Sequence, residues 1–153
     1  MQFSIHQIGS NDVAVMEELL TTFGEAFDDV ETYTGNRPDT AYLRRLLGSE
    51  TFIALVAVKN DKVAGGLAAY ELIKFEQARS EIYIYDLAVL EGYRREGIAT
   101  ALIEELKGIA AARGAWMIFV QADTDIEDEP AIALYTKLGT REEVLHFDIS
   151  PAG

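Results

Sequence analysis

The second half of the chain alternates strand, helix and strand, and this alternation limits the possible folds more than any other feature. Residues 78–89 carry apolar side chains on both faces, which is typical of a strand covered on two sides. Residues 98–110 place Ile98, Leu102, Leu106 and Ile109 at helical intervals, and residues 115–121 are again apolar. Because a strand–helix–strand unit brings the second strand back in the same direction, the pattern predicts a parallel pair.

The first half predicts antiparallel pairing and two more helices. Residues 51–72 read as a hairpin with a turn at 59–62, and residues 2–8 as a short strand. Helices are predicted after residues 10–12 and from residue 39 or 40 up to Gly48. A short helix at 131–138 and a final strand at 140–149 complete the order β-α-α-β-β-β-α-β-α-β, with Trp116 in the core. The predicted class is α/β (α+β), a mixed central sheet flanked by helices on both faces.

Composition restricts the partners and the chemistry. The 153 residues contain three Pro and no linker-like segment, so one domain over 1–153 is predicted. The net charge of −13 argues against nucleic acid and anionic membranes as partners. With no Cys, thiolate metal sites and cysteine nucleophiles are excluded, and no metal is predicted. The sequence shows no signal peptide and no run of about 20 apolar residues, so a cytoplasmic location is expected.

Two of the scarce basic residues stand side by side where the 78–89 strand leads into the 98–110 helix. Arg94 and Arg95 precede Gly97, and Gly97 and Ala99 keep side-chain bulk away from the backbone N–H groups of the first turn. A helix start with free N–H donors and a partial positive charge binds anions. From the residues alone, a phosphate-binding turn and an ordinary helix start with two solvated arginines both stay open.

The same stretch resembles a signature of the GNAT acetyltransferase superfamily. Residues 94–99, R-x-x-G-x-A, are similar to its Q/R-x-x-G-x-G/A pattern. Residues 128–140, D-x-x-A-x-x-L-Y-x-x-x-G-T, resemble its second signature, N-x-x-A-x-x-L-Y-x-x-x-G-F, with Asp128 and Thr140 as the two departures. The resemblance covers the whole chain and implies the GNAT fold.

Longer segments are similar to one group within that superfamily, the aminoglycoside 3-N-acetyltransferases of the GNAT type. These segments are residues 70–89, 97–102, 120–123, 133–139 and 141–149. The resemblance implies acetyl-CoA as the co-substrate and the 3-amino group of a 2-deoxystreptamine aminoglycoside, such as gentamicin, as the acceptor. It also implies a homodimer.

The resemblance further implies how the co-substrate is held. Backbone N–H groups would hold its pyrophosphate, with Arg94 adding charge, and the backbone of one strand would pair with the pantetheine arm. The implied pyrophosphate donors are Arg95, Gly97, Ile98, Ala99 and Thr100, and the implied strand residues are Leu87, Ala88 and Val89. Tyr135 is the candidate general acid for the departing thiolate, and the alternative is an aromatic side chain at the edge of the core.

The acceptor side is predicted from acidic residues. Residues 123–129 hold five carboxylates in seven positions, and such crowding suits a polycation. Asp123 is the first candidate for the base, although the neutral amine is alternatively drawn from solution. The predicted acceptor contacts are Asp29, Tyr83, Asp123, Asp125, His146 and Asp148. The plain alternatives are a solvated acidic loop and, for His146 and Asp148, an exposed strand edge.

Three functions compete at this point. The first is acetylation of aminoglycosides at the 3-amino group. The second is acetylation of a protein or peptide amine, or of a polyamine, by a GNAT enzyme, which an acidic cleft also suits. The third is a sensor that binds acyl-CoA without catalysis.

Overall fold

The computed structural model describes residues 2–152 and divides them into two compact units, one up to Gln121 and the other from Ala122. Met1 and Gly153, the two ends of the predicted single domain, lie outside the described residues. In the described part of the chain, no helix is long and apolar enough to cross a membrane.

The first unit contains five strands and four α-helices. In chain order they are β1 (Ser4–Gln7), α1 (Val13–Ala26), α2 (Val30–Thr34), α3 (Thr40–Leu47), β2 (Phe52–Lys59), β3 (Lys62–Ile73), β4 (Ser80–Val89), α4 (Ile98–Arg113) and β5 (Ala115–Val120). The helix ends follow local chemistry. Asp39 caps α3 by accepting the N–H of Tyr42 at 2.8 Å, and Gly114, at φ 75°, ends α4.

The strands form one sheet in the order β1-β2-β3-β4-β5. The first three pairings are antiparallel, whereas β4 and β5 are parallel, which confirms the mixed sheet and the strand–helix–strand unit. Between β3 and β4 the register shifts: Ala68 lies opposite Asp86 but Ala69 lies opposite Ile84. Tyr85 is therefore an extra residue on β4, a bulge that bends the strand at its middle.

Helices cover both faces of the sheet, as expected for this class. Side chains of α1 and α3 pack on one face with Phe52, Ala54 and Val56 of β2, while α4 contacts the strands from the other side. Helix α1 approaches β3 closely at Gly66, where an added Cβ would lie 2.5 Å from the Leu19 Cδ1 atom. The same Cβ would lie 2.5 Å from the backbone oxygen of Leu55, so a side chain at Gly66 would clash with the sheet as well as with α1.

Some local predictions are wrong for physical reasons. Strand β4 is not buried on both faces, because Tyr85 at the bulge is 61% exposed. Trp116 is not a core residue: it is 47% exposed, its indole N–H donates to Glu81, and the Arg79 guanidinium lies 3.9 Å from its ring centroid. On an edge strand, an amphipathic side chain such as Trp116 can stay partly exposed and contact polar neighbours. An apolar sequence pattern does not reveal that the strand lies at the edge.

The second unit contains α5 (Glu129–Leu138), preceded by a 3-10 turn at Ile126–Asp128. The helix predicted at 131–138 is confirmed, and Pro130 in its first turn suits a helix start. The strand predicted at 140–149 is wrong, because these residues adopt no regular structure. Their alternating apolar side chains are exposed instead, with Leu145 at 87% and Ile149 at 88%. A strand needs a partner, and residues 140–149 have no strand pairing within the described part of this chain.

Candidate active site

Strands β4 and β5 separate partway along their length. Their parallel pairing runs from Ser80 opposite Ala115 to Ile84 opposite Val120, where β5 ends. Strand β4 continues to Val89 and stays paired with β3 on its other side. Within the described residues, the β5-facing edge of 85–89 therefore has no strand partner, and its backbone groups are placed to pair with an extended ligand. This stretch includes the predicted Leu87, Ala88 and Val89.

The turn between β4 and α4 adopts the conformation that an anion site needs. Arg95 at φ 65° and Gly97 at φ 85° both lie in the left-handed region, so that the backbone folds into a concave turn at the helix start. No side chain of the described residues caps α4, and a Cβ added at Gly97 would meet nothing within 4 Å. The first N–H groups of the helix are thus left for an outside acceptor, and they fit a pyrophosphate.

Two side-chain contacts hold this turn against the sheet. The Arg94 Nε–H donates to the carbonyl oxygen of Val89 at 2.9 Å, and the Lys59 Nζ lies 2.6 Å from the Glu96 Oε1 atom. The first contact joins the turn to the open end of β4 and the second joins it to β2. Arg94 is exposed, so its charge remains available next to the turn. The predicted residues 94–100 are therefore brought together with residues 87–89 at one end of the sheet.

A row of aromatic rings crosses the sheet face next to this open end. Neighbouring ring centroids lie 4.7–5.8 Å apart, and the Tyr83 and Phe119 rings are stacked within 3° of parallel. The row consists of Phe52, Tyr70, Tyr85, Tyr83 and Phe119. We call it the aromatic row. The Tyr83 hydroxyl donates to Gln121 Oε1 at 3.1 Å, and burial, with Tyr85 and Asp86 nearby, raises the pKa of Tyr83. Tyr83 therefore stays a neutral phenol, as a positioning residue should.

A carboxylate that the sequence analysis did not single out lies beside the aromatic row. The Tyr33 hydroxyl of α2 donates to the Asp86 Oδ2 atom at 2.8 Å, across 53 residues of sequence. Burial raises the pKa of Asp86, although the Tyr33 hydrogen bond lowers it in part. Burial and the same hydrogen bond raise the pKa of Tyr33, so that its hydroxyl remains a donor. We call these two side chains the Tyr33–Asp86 pair.

The local sequence explains why Tyr33 reaches β4. Asp29 caps α2 by accepting the N–H of Thr32, and Gly24 of α1 lies close to α2, where an added Cβ would be 3.5 Å from the Tyr33 Cβ atom. The Tyr33 ring also contacts Phe23 and Phe27 of α1. The predicted acceptor residue Asp29 is thus the N-cap residue of the helix that carries Tyr33, and its charge contributes to the raised pKa of Tyr33.

The other predicted acceptor and catalytic residues lie in the second unit. Asp123 and Asp125 are exposed, and the Asp123 N–H donates to the Asp128 Oδ2 atom at 2.8 Å. Tyr135 lies on α5. His146 and Asp148 are exposed and contact each other through Nε2 and Oδ1 at 2.9 Å, but they do not share a strand face, because no strand forms there. Among residues 2–152, no three His, Asp or Glu side chains are placed to hold a metal ion.

The Tyr33–Asp86 pair was missed because its two signals lie far apart. Asp86 is the one charged residue in the otherwise uncharged run 82–90, and such a residue in a buried strand is a signal of function. The partner, however, comes from α2, a five-residue helix that the periodicity of the sequence did not predict.

Comparisons with known proteins agree with this geometry. The sequence model of the Acetyltransferase (GNAT) family matches residues 13–140. The crystal structure of the aminoglycoside acetyltransferase HMB0005, from an uncultured soil metagenomic sample, is 71% identical, covers 98% of this chain and 99% of its own, and has a TM-score of 0.97. The aminoglycoside acetyltransferase meta-AAC0020 from such a sample, in complex with sisomicin, is 29% identical over 97% of this chain and 95% of its own, with a TM-score of 0.86.

A curated relative has a different acceptor. N-alpha-acetyltransferase 30 of Schizosaccharomyces pombe is 30% identical over 86 residues, which are 56% of this chain and 55% of the relative. The chain thus spans about half the length of this relative. The family match covers most of the chain. It includes every element from α1 to α5 and the whole of the turn at 94–100. The chain belongs to the GNAT family of acetyltransferases.

Proposed function

We propose that this acetyltransferase transfers the acetyl group of acetyl-CoA to the 3-amino group of the 2-deoxystreptamine ring of aminoglycosides. The observation that carries the proposal is the likeness to an aminoglycoside acetyltransferase at 71% identity over nearly the whole chain. The net charge of −13 suits a polycationic acceptor. The choice of the 3-amino group rests on the resemblance of residues 70–89 and 141–149 to the 3-N-acetyltransferases.

The donor end of the mechanism uses backbone groups. The N–H groups of Arg95 and of residues 97–100 hold the pyrophosphate, and Arg94 adds a positive charge. The open edge at 87–89 pairs with the pantetheine arm, and an amide N–H there donates to the thioester oxygen as its negative charge grows. When bound, acetyl-CoA supplies the activated acetyl group.

The chemical step exchanges a C–S bond for a C–N bond. The acceptor ammonium gives one proton to Asp123, or alternatively to solvent before it binds, and becomes a neutral amine, whose lone pair forms the bond to the carbonyl carbon. As the C–S bond breaks, its electron pair stays on sulfur, and Tyr135 gives its proton to that sulfur. The second proton on the nitrogen restores the Tyr135 hydroxyl. Asp123, Asp125, Asp29, Tyr83, His146 and Asp148 are proposed to contact the acceptor, with Asp123 nearest to the amine.

The experiment that tests this function follows release of free thiol. Purified protein is mixed with acetyl-CoA and gentamicin or sisomicin, and the product is analysed by NMR to identify the acetylated nitrogen. Thiol release with acetylation at the 3-amino group supports the proposal, and acetylation at another amine refutes its regiospecificity. No turnover with any aminoglycoside refutes the substrate class.

A second candidate function is favoured by one comparison. Because the relative from Schizosaccharomyces pombe is an N-alpha-acetyltransferase, acetylation of a peptide amine is the runner-up. The same thiol assay with a peptide or spermidine in place of the antibiotic separates the two. Turnover of the peptide or spermidine alone favours the runner-up, and tight CoA binding without turnover of any amine favours a sensor.

We also propose that the enzyme is a homodimer. The unpaired residues 140–149 expose Leu145, Phe147 and Ile149, and a second copy of the chain would cover these apolar side chains. Light scattering coupled to size-exclusion chromatography measures the mass directly. A mass of twice 16.9 kDa supports the dimer, and a mass of 16.9 kDa at micromolar concentration refutes it.

A further inference from the structure

The strongest unassigned feature of the first unit is the carboxylate of Asp86. It is a partly buried charged group on β4, within the open edge at 85–89 and directly before residues 87–89. Successive residues of a strand lie about 3.3 Å apart along it, so this carboxylate stands within a few ångströms of the backbone that is proposed to hold the thioester. A charged side chain in such a place is costly unless it binds something.

The bulge at Tyr85 determines where this carboxylate points. Without an extra residue, the alternation of β4 would place residues 84 and 86 on the same face. Ile84 is buried, and the register shift puts Asp86 opposite Ala68, on the face that packs against α1 and α3. The bulge thus moves Asp86 onto the face that carries the aromatic row.

The surroundings of Asp86 suit an amino sugar. Tyr70 and Tyr85 of the aromatic row are 39% and 61% exposed, and their exposed ring surface can pack against a sugar ring. The charge of Asp86 acts on Tyr70 of β3 and Tyr83 of β4 as well as on Tyr33, and Tyr85 is its neighbour on β4. The charge of Asp29, the N-cap residue of α2, acts on Tyr33. These are acids and phenols, so a cation entering here meets attraction from carboxylates and from ring faces.

The Tyr33 hydroxyl uses only part of the capacity of the Asp86 carboxylate to accept hydrogen bonds. A carboxylate has two oxygens with about four lone-pair sites, and one phenol uses a single site. The hydrogen bond fixes the orientation of the carboxylate, because Tyr33 itself is held by Phe23 and Phe27. A bound ammonium therefore meets an acceptor that is already oriented, which reduces the entropy lost on binding.

We propose that Asp86 binds the reacting ammonium of the acceptor and takes its first proton, and that Tyr33 is the positioning residue that orients Asp86. This inference rests on the proposed function for the identity of the acceptor. It assigns to Asp86 the base role for which Asp123 was the first candidate, and leaves Asp123 as an acceptor contact. The proton passes from the ammonium nitrogen to a carboxylate oxygen, and the freed lone pair attacks the thioester carbon. Solvent receives the proton after the product leaves.

Three variants and the wild type test this inference. In Asp86→Asn the side chain keeps its size and its ability to accept the Tyr33 hydrogen bond, but it cannot take a proton. We expect kcat with an aminoglycoside to fall roughly 100-fold, as for loss of a general base, and CoA affinity measured by calorimetry to stay unchanged. Asp61→Asn is the matched control, because Asp61 is exposed in the β2–β3 turn at φ 60°, which Asn tolerates. We expect wild-type activity from it.

Tyr33→Phe separates positioning from a merely structural role. The Tyr33 hydrogen bond lowers the pKa of Asp86, so its removal raises that pKa further. Since Asp86 must be ionised to take a proton, the acidic limb of the kcat/KM profile moves to higher pH in Tyr33→Phe. In Asp86→Asn, which has no carboxylate to titrate, this acidic limb is absent. A structural defect alone would lower activity at every pH without moving the limb.

The outcomes distinguish this inference from the proposed function. If the wild type acetylates aminoglycosides and Asp86→Asn keeps its kcat, the role of Asp86 is wrong while the proposed function stands. An unmoved limb in folded Tyr33→Phe overturns the positioning role. If the wild type acetylates a peptide only, and Asp86→Asn abolishes this, the proposed function fails while the role of Asp86 holds for another amine. If Asp86→Asn does not fold, the wild-type profile still decides, because an absent acidic limb overturns the proposal.

Discussion

In the first unit, the regions proposed to bind the co-substrate (the donor end) and the amine (the acceptor end) are built from different parts of the chain. The donor end, at residues 85–100, offers mostly backbone groups: an open strand edge and the uncapped start of α4. The acceptor end offers side chains: the aromatic row and the Tyr33–Asp86 pair, gathered from α2 and four strands. Backbone groups are present in every residue, so the donor end depends on conformation, whereas the acceptor end depends on residue identity.

This difference teaches where specificity resides. The proposed site for the co-substrate is a turn that requires small residues and left-handed φ angles. The relatives differ in name on the acceptor side, one being an aminoglycoside acetyltransferase in complex with sisomicin and another an N-alpha-acetyltransferase. The proposed acceptor end of this chain consists of side chains that substitution can change. Substitutions at the two ends should therefore fail in different ways.

The largest effect expected outside the Tyr33–Asp86 pair is at Tyr135, the side chain proposed to protonate the leaving sulfur. Tyr135→Phe removes the hydroxyl that protonates the leaving sulfur, so kcat should fall about 100-fold while KM for either substrate changes little. Steady-state kinetics with gentamicin measures both. An unchanged kcat removes Tyr135 as the acid.

The second prediction tests whether the donor end depends on backbone conformation. Gly97 has φ 85°, and an L-residue there costs roughly 1–2 kcal/mol. If the turn relaxes to relieve this strain, its N–H groups move, and Gly97→Ala should bind CoA about tenfold more weakly in calorimetry.

Gly108→Ala is the matched control for Gly97→Ala. Gly108 lies exposed inside α4, and a Cβ added there meets nothing within 4 Å. Alanine at that position should stabilise the helix by roughly 0.5–1 kcal/mol and leave CoA affinity unchanged. Equal losses of affinity in both variants would show that the turn conformation is not what binds the pyrophosphate.

The same contrast explains what the sequence could predict. Residues 94–100 are contiguous, and a glycine at a helix start signals its own function, so the turn and its position after β4 follow from local pattern. The parallel β4–β5 pair follows from the α4 periodicity for the same reason.

The acceptor end could not be predicted in the same way because it depends on register. The bulge at Tyr85 reverses the face on which Asp86 lies, and no residue type in 82–89 signals an extra residue. Tyr33 and Asp86 meet across 53 residues of sequence through a short helix held by Asp29 and Gly24. The strand prediction at 140–149 is wrong for a related reason. Alternating apolar residues indicate which faces a strand would have, but not which other strand would pair with it.

A smaller effect is expected at Asp123, in the acidic segment of the second unit. Asp123→Asn removes one of five carboxylates within seven residues, so kcat/KM for an aminoglycoside should fall several-fold while CoA affinity stays unchanged. The loss should shrink in added salt, because exposed charges are screened. A fall in CoA affinity instead would assign this segment to the donor end and break the division between the two ends.

The smallest effect is on stability, and it distinguishes a functional carboxylate from a structural one. Because burial raises the pKa of Asp86, the folded state favours the protonated carboxyl. That stabilising contribution is present at acidic pH and is lost as the pH rises from the usual range of a carboxyl through the raised pKa of Asp86. Asp86→Asn, which cannot ionise, should therefore have a higher Tm than the wild type at neutral pH, and the difference should shrink on acidification. Thermal unfolding at neutral and at acidic pH measures this difference in Tm, with Asp61→Asn as the reference. A lower Tm for Asp86→Asn at neutral pH would mean that the ionised carboxylate stabilises the fold, and that the acceptor end holds its charge for structure rather than for the amine.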